Sequence, residues 1–293
     1  MNKNQSSTQN KPLARILLVV FLGLFFVQQP CSAQSDDFGM WTSVELEKKV
    51  NKKFSLGLEA EMRTRDNSGE MDRWSFGLSG SYKLTKWLKA GAGYTLLYDN
   101  NEKCSYYDEG DDVEPGDPEY GKIKRRAQYW GLRHRVYAGL QGSVDVGRFK
   151  LSLRERWQYT YRPEKSVTRE YYEYYSDERY GPPGELMDGY PMIEVDANGE
   201  PKLRTYKGKG KNVLRSRLQV DYDIPSCKVD PYASVELTNA WSVQKVRYTL
   251  GAEWKIRKVH TLNFYYRYQD IRNDDFDSEP DMHILGLGYK YKF

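Results

Sequence analysis

The sequence predicts an all-β protein: a single antiparallel up-and-down β-barrel that crosses a membrane with about 10–12 strands, 12 being the expected count. Three observations predict it. Residues 1–33 form an export leader. The rest of the chain alternates between apolar and polar residues in segments of strand length. The connections between those segments alternate between short and long.

In the leader, Lys3, Lys11 and Arg15 surround and follow a polar start, and the apolar run Ile16 to Val27 comes next. A run of 12 residues is too short for a spanning helix, which needs about 20. Cys31 and Ala33 are small residues placed as a secretory peptidase requires for a cut between Ala33 and Gln34. Gln29 and Pro30 stand where a lipoprotein signal needs small residues, so anchoring at Cys31 is not expected. Residues 1–33 are therefore read as a cleaved signal peptide. Residues 34–293 are read as one barrel domain exported to the outer membrane of a Gram-negative bacterium. Cleavage leaves Cys104, read in a long loop, and Cys227, read in a short turn. The two fall on opposite sides of the membrane, beyond the roughly 7 Å that a disulfide spans, and two free thiols are expected.

Composition alone would mislead. The chain has 45 Lys and Arg against 41 Asp and Glu, and three of the basic residues lie in the acid-free leader. The remainder is almost neutral, which gives no electrostatic reason to expect a nucleic-acid partner. Its mean hydropathy is that of a polar protein, yet it carries 25 Tyr and 7 Trp, too many aromatics for a disordered polar chain. A membrane barrel is polar on average because only alternate strand residues meet lipid.

The alternation is clearest in Lys53 to Arg65. Phe54, Leu56, Leu58, Ala60 and Met62 share one face, and Ser55, Gly57, Glu59, Glu61, Arg63 and Arg65 the other. Asp72 to Leu84, Lys150 to Arg162 and Val246 to Ile256 repeat it, and further segments lie near 38–50, 87–99, 128–145, 213–224, 230–243, 260–272 and 281–293. A period of two over such lengths is the signal of strands with two different faces. Eleven segments are legible, whereas bacterial single-chain barrels carry an even number. A missed twelfth strand, a first segment that does not span, or parallel pairing of the first and last strands would reconcile the two.

Short turns are expected at Asn51-Lys52, Leu84-Thr85-Lys86, Val146-Gly147-Arg148, Pro225 to Asp230 and Arg257-Lys258. Longer loops are expected at 66–71, 100–127, 163–212 and 273–280, with a moderate one near 241–245; those near 100–127 and 163–212 are the largest. Short periplasmic turns and long outer loops are the outer-membrane pattern. In the last segment Leu285, Leu287, Tyr289, Tyr291 and Phe293 share a face, and Phe293 ends the chain. Tyr289, Tyr291 and Phe293 look like the C-terminal signal read by the outer-membrane barrel insertion machinery, which is an expected partner together with the lipid itself.

Several stretches resemble, as a set, a family of Gram-negative outer-membrane β-barrel proteins catalogued as a domain of unknown function. They are Trp41-Thr42-Ser43-Val44-Glu45-Leu46-Glu47-Lys48-Lys49, Gly80-Ser81-Tyr82-Lys83-Leu84, Trp87-Leu88-Lys89-Ala90-Gly91-Ala92-Gly93-Tyr94, Leu151-Ser152-Leu153-Arg154-Glu155-Arg156, Leu214-Arg215-Ser216-Arg217-Leu218 and Pro231-Tyr232-Ala233-Ser234-Val235-Glu236. The resemblance runs from about Asp37 to Phe293. It implies a barrel fold and membrane placement but no activity, and it implies that the 163–212 insertion is longer than usual.

The candidate functional residues are the charges on the inward faces: Glu45, Glu47, Glu59, Glu61, Arg63, Arg133, Arg135, Arg154, Arg156, Arg215, Arg217, Glu236, Arg247, Glu253 and Arg267. Opposing Arg and Glu either pair across a filled interior or line a narrow charged path for a small solute. An outer-membrane hydrolase is the last alternative and no enzyme is expected, since none of His134, His260 and His283 sits with a nucleophile and an orienting acid. No cofactor or metal is expected either. Seven carboxylates between Asp108 and Glu119 fit no defined Ca²⁺ loop and read as a solvated outer loop. Tyr171, Tyr172, Tyr174, Tyr175 and Tyr180 read as a cap over the barrel mouth, with a surface ligand as the alternative, and Met192 to Tyr206 as an outward hairpin around Asp196-Ala197-Asn198-Gly199.

Overall fold

A computed structural model of the chain describes residues 36–108, 110–257, 259–272 and 280–293. The expected cleavage site at Ala33 and Gln34 lies outside them. The alternating segments become β1 (Asp37–Lys49), β2 (Phe54–Arg65), β3 (Glu70–Lys83), β4 (Leu88–Tyr106), β5 (Ile123–Val146) and β6 (Phe149–Arg162). Four short strands follow, β7 (Lys165–Thr168), β8 (Glu170–Tyr171), β9 (Met192–Ile193) and β10 (Leu203–Tyr206). The chain then returns to β11 (Lys209–Tyr222), β12 (Val229–Ala240), β13 (Ser242–Ile256), β14 (His260–Ile271) and β15 (Met282–Lys292). Among the described residues, eleven long strands form a closed ring: each pairs with the next, β6 with β11, and β1 with β15.

The count lies within the expected range, one below the expected 12, and it is odd. Successive strands alternate in direction, so an odd ring forces its first and last strands to run the same way. β1 and β15 are indeed parallel, from Asp37 opposite Met282 to Glu47 opposite Lys292. This seam has its own internal packing. Trp41, Met282 and Ile284 are buried against one another with Tyr265 beside them. The Tyr265 ring lies flat over Gly286, its cross-strand partner, where a Cβ would overlap the ring. Toward the other end, Lys290 reaches both Glu45 and Glu47 at 2.7 Å. Tyr232 covers Gly251 and Tyr137 covers Gly93 in the same way, each across a strand pair. A tyrosine laid over a bare strand fills the space that the glycine leaves and pins the register.

The pleat sends charges inward and apolar side chains outward. Leu58, Phe76, Leu78, Leu153, Leu218 and Leu250 are all more than half exposed on the outside, while their strand neighbours Glu59, Arg154 and Arg217 line the interior. A soluble lipocalin-like barrel would do the reverse. Trp74, Tyr98, Tyr161, Tyr248 and Tyr266 stand exposed toward one end, and Tyr82, Trp87, Phe149, Trp254 and Phe293 toward the other. These are the two aromatic girdles of a membrane barrel. The end with the expected short turns is called the turn end below, the other the loop end.

Several connections differ from expectation. β4 and β5 continue as a ladder as far as Tyr106 and Ile123, so the 100–127 loop shrinks to 107–122 and Cys104 lies in a strand. Cys104 and Cys227 are both free thiols. The moderate loop expected at 241–245 is a single residue, Trp241, fully exposed with φ 71°. A register shift between Thr238 and Asn239 lets the chain turn that sharply. The 66–71 loop closes in four residues, with Asp66, Asn67 and Ser68 all at positive φ. Most of the 273–280 loop lies outside the described residues.

In the insertion, the Asp196–Gly199 turn forms, flanked by bonds from Asp196 N to Glu200 O and from Lys202 N to Glu194 O. The longer hairpin does not. β9 pairs with β8, and β10 with β7, because the first limb of the insertion offers both a free edge. Tyr172 N bonds Lys124 O, Tyr107 Oη bonds Tyr172 O, and Tyr206 stacks on Tyr129 of β5 at 5.4 Å. Burial pushes the Tyr107 hydroxyl up to about 12. Despite its burial, Glu194 is held below the usual carboxylate range by Arg169, Lys202 and Arg125.

Candidate functional site

The lumen is where chemistry-bearing side chains converge, and its wall is built strand by strand from the polar phase of the alternation. A row of directly paired residues, Trp41, Arg63, Arg73 and Asp99, crosses β1 to β4 near the loop end. Here Arg73 and Arg133 both bind Asp99, Arg133 Nε at 2.7 Å from Oδ2. All three are at most 8% exposed, and Leu97 and Ile284 are at 1% and 0%. Side chains crowd the lumen at this level. Trp41 belongs to this layer and is sheathed in guanidinium: Arg63 lies 3.7 Å from its ring centroid, Arg267 5.1 Å and Arg247 5.2 Å. Such cation–π contacts contribute roughly 0.5–2 kcal/mol each, and the indole fills space that charges could not.

Beneath that layer is a cavity of about 240 Å³, continued toward the turn end by another of about 350 Å³. The first is lined by eight arginines (63, 135, 154, 156, 215, 217, 247 and 267) against Glu59, Glu61 and Glu236. Glu236 is the hub. Arg154 Nη2 donates to its Oε2 at 2.5 Å, Arg215 to its Oε1, and Arg247 Nη1 stands 3.7 Å away. Glu61 takes Arg63 at 2.6 Å. Among the described residues, Arg135 has only a hydrogen bond to Thr160 Oγ1 at 3.2 Å, and Arg267 one to Thr249 Oγ1 at 3.0 Å beside its aromatic contacts. Arg156 lies over the Tyr137 ring at 4.2 Å.

Of the 15 expected residues, 13 line one or both cavities. Arg133 sits above them in the crowded layer on Asp99, and Glu253 lies near the turn end, opposite Asp230 and Asn263, away from the cluster. Residues not singled out from sequence complete the site. Trp41 carried a signal, being an aromatic in phase with Ser43, Glu45 and Glu47 on the polar face of its strand. Lys89 and Lys290 line the lower cavity; they sit among apolar or aromatic neighbours that read as girdle. The three histidines are elsewhere: each shares a 2.7 Å bond with a tyrosine hydroxyl, His134 with Tyr94, His260 with Tyr289 and His283 with Tyr266, and His283 Nε2 also stands 3.2 Å from Asp36 Oδ2.

The model of a family described as protein of unknown function (DUF2490) matches residues 38–279. The chain belongs to this family. No curated protein matches the DUF2490 chain. Among solved structures it is similar to the β domain of the Bordetella autotransporter BrkA, at 13% identity and a TM-score of 0.48, over 84% of this chain and 86% of that one. It is also similar to a Pseudomonas aeruginosa FadL homologue, at 12% identity and a TM-score of 0.35, over 83% and 64%. By its own strand pairing and side chains, the DUF2490 chain is an all-β barrel with an apolar exterior and a charged interior.

Proposed function

We propose that this DUF2490 barrel sits in the outer membrane of a Gram-negative bacterium, exported by a cleaved signal peptide, and binds or passes small charged solutes through its lumen. On this reading Tyr289, Tyr291 and Phe293 serve the insertion machinery. The carrying observation is the pair of contiguous cavities, which share Glu59, Ser79, Tyr137, Arg154, Arg156 and Arg217 on their walls. Ionisable side chains facing that much water-sized space favour a solute site over a barrel filled wholly by its own side chains.

Single-channel recording of the purified protein in a planar bilayer tests passage. Discrete steps whose size changes with Glu59→Gln or Arg154→Gln are the expected result, because charged linings set conductance. A bilayer that stays silent at all voltages would mean that the layer of Trp41, Asp99 and Arg133 closes the lumen and would confine solutes to binding below it.

A second reading, action through the outer loops, is supported by Met192, Ile193, Val195 and Leu203, all more than half exposed on the insertion. Deleting residues 165–206 is expected to abolish any cell-surface binding on this reading while the barrel still folds. Unchanged surface binding would dispose of it.

A further inference from the structure

Resting on the lumen as a solute site, the geometry points to the sign and chemistry of that solute: we infer that Arg156 and Arg217 form a binding site for a small oxyanion, a phosphate or carboxylate group. β6 and β11 place arginines directly opposite one another twice, Arg156 facing Arg215 and Arg154 facing Arg217. Like charges directly opposite across a strand pair are destabilising, so this block needs counter-charge. The protein supplies half of it. Glu236 takes the diagonal Arg154 and Arg215, and no described carboxylate lies in salt-bridge contact with the other diagonal. Arg156 has the Tyr137 ring as its neighbour, and Arg217, opposite Glu236 in register, forms no salt bridge with it.

Both open guanidiniums face water-accessible space, since each lines both cavities. The surrounding field has the same sign, eight arginines against three glutamates in the upper cavity. A low-dielectric wall keeps such a field from being screened as it would be on a surface. Guanidinium is the group best suited to hold phosphate or carboxylate oxygens with two parallel N–H donors. Glu59 stands on the same shared wall without an ion pair and opposes the anion. It therefore sets an upper limit on affinity rather than creating the site.

The test is phosphate binding to the folded full-length protein in detergent, followed by thermal unfolding and calorimetry, with inorganic phosphate exchanged for chloride at constant ionic strength. Phosphate is expected to stabilise the wild type, and Arg156→Gln and Arg217→Gln each to weaken its binding about tenfold or more, the loss of a charge-assisted hydrogen bond. Glu59→Gln is expected to strengthen binding. Both arginine variants relieve repulsion and are expected to fold, which heat-modifiable gel migration checks. Phosphate acting no differently from chloride, or binding both arginine variants as tightly as the wild type, overturns the oxyanion site. Passage is judged separately. Phosphate binding with a silent bilayer removes passage and keeps the site, while a conducting bilayer without phosphate binding keeps passage and removes the site.

Discussion

Glu236→Gln is expected to destabilise the barrel by about 3–5 kcal/mol, the loss typical when one partner of a buried ion cluster is removed. The carboxylate is 8% exposed and is contacted by Arg154, Arg215 and Arg247, themselves 16%, 16% and 9% exposed. Glutamine keeps the shape and one acceptor but leaves three guanidiniums facing each other without a counter-charge. Urea unfolding of protein refolded into detergent or lipid vesicles measures it, as a fall in the midpoint. Replacing Glu236, Arg154 and Arg215 together by apolar residues should recover much of the loss, because the desolvation cost disappears with the charges. A Glu236→Gln barrel as stable as the wild type would mean that water or ions, rather than this carboxylate, neutralise the arginines.

That cluster shows how far the sequence could be read. Glu236, Arg154, Arg215 and Arg247 were legible because each alternates with lipid-facing residues, such as Leu153 beside Arg154 and Tyr248 beside Arg247. Which arginine meets which glutamate was not, since partners on β6, β11, β12 and β13 depend on register and shear set by the whole ring. Asp99 was missed for a related reason. It sits where the apolar alternation of β4 fades, although the ladder with β5 runs on beyond it to Tyr106, and backbone pairing above the lipid needs no apolar phase. The parallel seam was one of three open possibilities. The sequence shows strand directions only by counting, and the seam residues Gly286 and Tyr265 announce themselves only once they are seen stacked. The single-residue turn at Trp241 was hidden by its mostly polar neighbours, Asn239, Ser242, Gln244 and Lys245, which looked like a loop between strands.

The outward face gives the other large effect, and it separates a membrane barrel from any water-soluble one. Leu58 is 55% exposed, flanked on the same face by Leu56 and Ala60, and paired across strands with Leu46 and Leu78. It lies near mid-strand, between the aromatic girdles. Leu58→Arg places a guanidinium in hydrocarbon there, and for outer-membrane barrels this costs about 2–4 kcal/mol near the bilayer midplane. Folding into lipid vesicles should weaken by that amount, while Glu59→Gln, one residue along and facing the lumen, leaves vesicle folding nearly unchanged. The contrast comes from the pleat alone: adjacent residues point to opposite solvents. If Leu58→Arg folded into vesicles as well as the wild type, lipid would not be what that face meets, and the apolar belt would instead require a protein partner to cover it.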